Sequence, residues 1–464
     1  LFSMLQHTAP AEHDAPTDLL SGGGVRALAI LVWPVLVEQF LMMLVGLSDA
    51  FLAGHWLEEP HLVAMTTMLY LLWLLQSLFS VVAIGVTALT ARFTGAQDLP
   101  SAVRATNQAV LLGVAMAIGI TIACWLGRDA VAGWMGLEGL SAVAAKRFLT
   151  LLIPVLPAMM FELVGIAALR GAGDMVTGLA TMLLVNVVNV GVSWLLLHGV
   201  GPIPPQGWDA ICIGAGCGYA VGGVVVLAVL LRGRRGFRLR SADLLPDAGM
   251  IRRILWVGLP SGIDVLSLTV LQLFFLAMIN QLGDTAAAAH GVAIRIESLS
   301  YLPANAFAIA AATLAGQYLG AGDRAGAQRS VLTACAAGLI IMIAIAAAMY
   351  VFAEPLAGFF LSADRGEVCA LSAALLRIIV LALPPLVVLN VLTGALRGAG
   401  DTRWPLAITL VGFVGLRLPV AYYLLFSTNC GVRGAWYAMA LDITLRCALT
   451  VARFAQGGWK DIAV

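Results

Sequence analysis

The sequence predicts an all-α integral membrane protein, with twelve transmembrane helices in two parallel six-helix repeats around a central cavity. Three observations predict it. Of 464 residues 61% are hydrophobic and only 11% charged, against about a quarter charged in soluble domains. Twelve apolar stretches are long enough to cross a bilayer. Segments of the first half also return in the second at a nearly constant offset. So few charges cannot cover a water-facing surface, and lipid must be the solvent for most of the exterior. The formal net charge of +1 points to neither nucleic acid nor an acidic partner.

Residues 1–26 mix Pro, His, Asp and Thr without an apolar core or the basic start of a signal peptide, and are read as a disordered cytoplasmic tail. A spanning helix needs about twenty apolar residues. Such stretches fall at 28–52, 62–90, 106–126, 148–169, 177–198, 210–231, 254–282, 286–314, 330–352, 371–396, 404–427 and 431–453. Arginines set the orientation. The link between spans 6 and 7 carries Arg232, Arg234, Arg235, Arg238, Arg240, Arg252 and Arg253, and other even-numbered links add Arg104, Arg170, Arg324, Arg329, Arg397 and Arg403. Both termini are therefore expected in the cytoplasm, with the chain multi-pass in a plasma (inner) membrane. The expected organisation is a six-helix lobe over 27–232, a basic cytoplasmic linker over 233–250 and a second lobe over 251–464. None of the seven cysteines forms a C-x-x-C pair, and they read as small hydrophobes; no metal site is expected.

The heptapeptide Ala168-Leu169-Arg170-Gly171-Ala172-Gly173-Asp174 returns unchanged as Ala395-Leu396-Arg397-Gly398-Ala399-Gly400-Asp401, an offset of 227. Pro34 with Glu38 matches Pro260 with Asp264 at 226, and Gly95-Ala96-Gln97-Asp98 matches Gly320-Ala321-Gly322-Asp323 at 225. Six spans per half is an even number, so both halves enter the bilayer in the same direction. Parallel repeats of this kind suit alternating access. The Gly-x-Gly-Asp copies also occur in intramembrane aspartyl proteases. Here they fall in aqueous links with no Tyr-Asp partner in a span, and read as helix-ending turns. No H-E-x-x-H or G-x-S-x-G supports an enzyme. A sugar-transporter-like chain would carry Asp-Arg-x-Gly-Arg in link 2–3, which reads Ala91-Arg92-Phe93-Thr94-Gly95-Ala96-Gln97-Asp98.

Several segments together resemble the multidrug and toxic compound extrusion (MATE) family, from about residue 27 to the end. They are Leu-Arg-Gly-Ala-Gly-Asp closing spans 4 and 10, Gly258-Leu259-Pro260-Ser261-Gly262, Arg295-Ile296-Glu297-Ser298, Gly316-Gln317-Tyr318-Leu319-Gly320-Ala321-Gly322-Asp323 and Gly457-Gly458-Trp459-Lys460. The resemblance implies two six-helix lobes with a central cavity. It also implies antiport of amphipathic organic solutes against a proton or sodium gradient, with no other cofactor and a monomer in the bilayer. The alternative is a flippase for lipid-linked or amphipathic lipids, which would need several basic residues in its cavity.

Charges inside spans are costly and need a partner or a purpose. Glu38 and Asp49 lie eleven residues apart in span 1, three turns and about 20°, hence on one face. Asp49 matches the family's acidic position in span 1 and is the first candidate for ion coupling; a hydrogen bond to a neighbouring helix is the plainer role. Burial disfavours the charged form of a carboxylate, so such a group can bind and release a proton near neutral pH. Glu38 and Asp264 each stand one turn after a proline, with coupling and structural roles both open. Glu162 in span 4 is a weaker candidate. Asn186, Asn189 and Ser193 share span 5 and suit an interhelical hydrogen bond or an oxygen-lined cation site. Sodium-binding relatives often carry aspartate where Ser193 stands and threonine near Tyr219, so protons are preferred to sodium here. Arg417 and Asp442, mid-membrane in spans 11 and 12, are expected to pair as structural glue, and Arg295 and Glu297 to neutralise each other or nearby polar groups in the same way. Met42, Tyr70, Phe161 and Phe275 are candidates to line a cavity for flat organic cations.

Overall fold

A computed structural model describes residues 24–135, 137–199, 201–234, 236–240, 245–361, 366–428 and 430–462. Residues 1–23 of the expected tail and Arg235 of the basic link lie outside the described residues. Among the described residues the regular elements are helices, with one isolated β-bridge between Arg234 and Phe237. The first repeat holds α1 (Gly24–Trp56), α2 (Glu59–Gly95), α3 (Leu99–Trp134), α4 (Gly139–Gly171), α5 (Val176–His198) and α6 (Trp208–Arg232). The second holds α7 (Ala248–Asn280), α8 (Asp284–Gly320), α9 (Arg324–Val351), α10 (Gly366–Gly398), α11 (Arg403–Phe426) and α12 (Val432–Gln456). Among the described residues, the first eleven of these are long and apolar enough to cross a membrane. The twelfth has 25 residues but spends four of its positions on Arg433, Asp442, Arg446 and Arg453. Large apolar side chains such as Leu126, Val224 and Ile340 point outward, as lipid-facing helices require.

Where the chain must stop a helix, it uses one device four times. Asp174 N–H donates to the Leu169 carbonyl and Gly173 N–H to that of Arg170; Asp401 and Gly400 do the same to Leu396 and Arg397. Gly173 and Gly400 have φ of 83° and 90°. This is the paired-bond termination that favours glycine in the left-handed position. Asp98 and Asp323 close α2 and α8 with the same bond pattern. Three of these aspartates then cap the next helix: Asp98 accepts from Ser101 N–H at 3.1 Å, Asp174 from Thr177 N–H at 3.2 Å and Asp323 from Gly326 N–H at 2.7 Å. The Gly-x-Gly-Asp copies are turns, and the first carries a cap.

Four helices are irregular. A 3₁₀ turn at Ile153–Val155 interrupts α4 beside Pro154 and Pro157, and one at Val380–Ala382 interrupts α10 beside Pro384 and Pro385. These breaks occupy equivalent places in the two repeats, as proline's missing N–H dictates. The α8 helix is interrupted between Ser298 and Tyr301. A π turn at Phe413–Arg417 lies within α11, just before Pro419.

The chain divides into two compact units, one of Trp33–Gly262 and one of Ile263–Val464 with the start of α1 up to Val32. The divisions fall inside α1 and α7, within a few residues of Pro34 and Pro260. In the first unit the basic link is held down by α3. Asn107 accepts from Arg240 N–H, Gln108 accepts from Asp247 N–H and donates to the Leu245 carbonyl, and Phe237 is buried.

In the second unit α10 meets α8 through small residues. A Cβ placed on Gly394 or Gly398 would strike the carbonyl of Ala308 or Ala312, a small-xxx-small contact between two helices. Backbone cannot rotate out of the way as a side chain can. Gly398→Val is expected to lower stability by about 1–3 kcal/mol, read as a lower thermal unfolding midpoint of the purified protein. An unchanged midpoint would contradict this packing.

Candidate ion-coupling site

Helix α1 places Glu38 and Asp49 in the first unit, and α7 places Asp264 in the second. Glu38 is 1% exposed and accepts from Arg170 of α4 at 2.7 Å. Asp264 is likewise buried and accepts from Arg397 of α10 at 2.6 Å. The repeat therefore extends to a buried ion pair in each unit. A second pair follows one turn on: Asp174 with Arg234 beyond α6, and Asp401 with Arg453 at the end of α12. Each unit thus ties its first, fourth and sixth helices together at its arginine-rich end. A buried carboxylate hydrogen-bonded to its own arginine has its charge compensated, so Glu38 and Asp264 read as braces.

Asp49 differs. It is 9% exposed and has no arginine; its Oδ1 has no hydrogen-bond partner, as is also true of Glu38 Oε2 and Asp264 Oδ1, so the missing cation is what sets it apart. Beside it lies Asn189 of α5, within hydrogen-bonding reach of the carboxylate, and the Ser193 hydroxyl one turn further along α5 is buried without a partner. Glycines bring the helices this close. A Cβ on Gly214 of α6 would collide with Ser193, and one on Gly218 would lie 3.3 Å from Asn189 Cβ. Asn186 plays a different part. Its amide donates to the Leu41 carbonyl of α1 at 3.0 Å and to that of Met182 at 2.8 Å, fastening α5 to α1. Buried polar atoms without partners are expensive. Asp49 is thus a buried carboxylate with an open oxygen and a neutral neighbour in place of a cation.

A second carboxylate without an arginine lies in the same unit. Glu162 of α4 is buried against Gly222 of α6, with Oε2 unpartnered. Tyr219 of α6 lies near enough to feel both carboxylates, and its side chain hydrogen-bonds with Gln76 of α2. The sequence ranks Glu162 low and gives no sign of Gln76, because nothing in their own spans signals a partner on another helix.

The expected Arg417–Asp442 pair is corrected. Both Asp442 oxygens are taken at 2.9 Å by Arg446, one turn along α12, since a partner on the same helix needs no adjustment of a neighbour. The Arg417 guanidinium instead stacks on Phe275 at 4.1 Å and on Phe413 at 4.4 Å. Arg295 is also not paired with Glu297: it is exposed, whereas Glu297 is 2% exposed. Of the residues considered for substrate contact, Met42 is exposed, Tyr70 meets Trp73 edge-on, Phe161 packs on the first unit's core and Phe275 lies under Arg417.

Twelve helices in two repeats, eleven of them long and apolar enough to cross a membrane among the described residues, are the architecture of a membrane transporter. The MatE family profile matches residues 34–195 and 260–423, one match in each half, and the chain belongs to this family. It is 27% identical over 442 residues to the probable multidrug resistance protein NorM of Thermotoga maritima, covering 95% of this chain and 94% of that one. To the multidrug resistance protein PmpM of Pseudomonas aeruginosa it is 26% identical over 455 residues, covering 94% and 92%. A crystal structure of MATE in complex with MaL6 matches with a TM-score of 0.89 at 21% identity, over 96% of this chain and 99% of that chain. A MOP superfamily transporter from Pyrococcus furiosus matches at 0.90 and 20% identity, over 98% and 100%. These two share the fold.

Proposed function

We propose that the protein is a multidrug efflux antiporter that exports amphipathic, cationic organic solutes by alternating access, in exchange for protons. It lies in the inner membrane with both termini in the cytoplasm, where the arginine-rich links belong. The observation that carries this reading is the contrast among the three carboxylates of α1 and α7. Glu38 and Asp264 are neutralised by Arg170 and Arg397, while Asp49 is buried beside the neutral Asn189 with no arginine. A carboxylate free of fixed cations responds to water entry and exit by taking up and losing a proton. Membership of the family and the likeness to multidrug resistance proteins along nearly the whole chain support export as the direction.

Sodium is the less favoured ion. The group at Asp49 supplies one carboxylate and the amide oxygen of Asn189, and hard cations ask for a fuller oxygen shell. The test is dye efflux from vesicles containing the wild-type protein, under proton and sodium gradients imposed separately. Efflux driven by the proton gradient alone is expected. Efflux driven by sodium alone overturns proton coupling, and no efflux under either gradient overturns export and favours lipid translocation.

A further inference from the structure

The start of α7 is fixed on α2 by one face and leaves the opposite face uncovered within the first unit. Ile254 is fully buried, and a Cβ on Gly85 of α2 would strike its carbonyl; one on Gly258 would strike that of Val81. Asp247 sets where the helix begins. Its carboxylate accepts from the N–H groups of Gly249 and Met250, and its own N–H donates to Gln108 of α3. The uncovered face is therefore held in one position from both ends.

That face carries a groove of about 470 Å³ lined by Pro246, Ile251, Arg252, Leu255, Trp256 and Leu259. Arg252, Trp256 and Leu259 fall within about 60° of one another round the helix and span about 10 Å along it. Trp256 is 54% exposed and Leu259 51%. Arg252 is the one charged residue of the described lining. It is exposed and, among the described residues, forms no ion pair within 4.0 Å. Asp247, the acid nearest to it in sequence, is engaged at the helix start. The same order of residues stands 226 positions earlier as Arg26, Ile30 and Trp33, all exposed.

A cation at the end of an apolar groove, followed over two turns by tryptophan and leucine, matches one amphiphile. Phosphate lies at the membrane surface, glycerol one turn deeper where tryptophan is favoured, and acyl chain below. We propose that the groove binds an anionic phospholipid of the leaflet in which the arginine-rich links lie. The phosphate accepts hydrogen bonds from the Arg252 guanidinium, as such groups pair well, and an acyl chain lies along Trp256 and Leu259. This site needs only that the protein is embedded in a bilayer, whatever it exports.

The test is quenching of Trp256 by brominated lipids, which act at short range. Full-length protein is reconstituted in phosphatidylcholine vesicles containing a minor fraction of brominated phosphatidylglycerol or, in parallel, of brominated phosphatidylcholine. Subtracting the signal of Trp256→Phe isolates Trp256 from the other tryptophans. Brominated phosphatidylglycerol is expected to quench it at about fivefold lower mole fraction, the preference that one arginine near the surface gives an anionic lipid. Arg252→Gln removes this preference. Arg253→Gln, which removes the same charge about 100° round the helix, keeps it.

Equal quenching of wild type by the two lipids overturns the site. So does an equal loss in the two arginine variants, which would mean a diffuse surface charge. Displacement of the lipid by excess glycerol phosphate would assign the groove to a soluble phosphate instead. A Trp256 that neither lipid quenches would show that protein covers this face, and would overturn the proposal as well.

Discussion

Replacing Asp49 by Asn is expected to reduce gradient-driven dye efflux to background while leaving the protein folded. The substitution keeps the shape and removes the exchangeable proton. Switching a two-state transporter from 1:99 to 99:1 takes about 5.5 kcal/mol of differential binding, and without a titrating carboxylate the proton gradient has no group through which to supply its share. A loss of about two orders of magnitude in driven transport follows. Stability should hold or rise, because an ionised carboxylate with an unpartnered buried oxygen is costly to keep and an amide less so. Reconstituted protein, assayed for efflux and for thermal unfolding side by side, checks both halves. Efflux retained at wild-type rate in Asp49→Asn would remove this residue from coupling. Efflux lost together with the fold would make it structural.

The largest stability effect is expected at the mirrored ion pairs. Arg397→Met strands the carboxylate of Asp264, which is 1% exposed and accepts from Arg397 at 2.6 Å. Breaking a buried pair by removing one partner costs about 3–5 kcal/mol, whereas replacing both partners by apolar residues is often close to neutral. Asp264→Leu combined with Arg397→Met should therefore recover most of the unfolding temperature lost in the single variant. Arg170→Met and its combination with Glu38→Leu should behave alike in the first unit, because the same pair is built there at 2.7 Å. A double variant no more stable than the single one would show that the arginine matters for something other than its carboxylate.

Much of this architecture is legible in the chain itself. Hydropathy alone marks the spans, and arginine placement marks their direction. The exact heptapeptide repeat marks the two halves and, through its glycines, the turns that end α4 and α10. Side-chain pairing between helices far apart in sequence is not legible in the same way. Arg170 and Arg397 read as topological signals, although each lies 132 or 133 residues after the acid it binds, a spacing preserved between the repeats. Depth in the bilayer suggests Asp442 for Arg417, but depth says nothing of which rotamer reaches whom; Arg446 on the same helix is simply nearer. The π turn of α11 has a trace in Gly412, Gly415 and Pro419, residues that loosen a helix, but its register depends on packing. The openness of Asn189 and Ser193 depends in the same way on Gly214 and Gly218 of the next helix.

The most direct test of Asp49 as the coupling group is proton release on dye binding. Purified protein in weakly buffered solution with a pH indicator is mixed with a cationic dye that it exports. Antiport through Asp49 predicts release of about one proton per dye bound, by reciprocal linkage, and no release from Asp49→Asn although that variant still binds dye. Dye binding without proton release from the wild type, or equal release from Asp49→Asn, would contradict it.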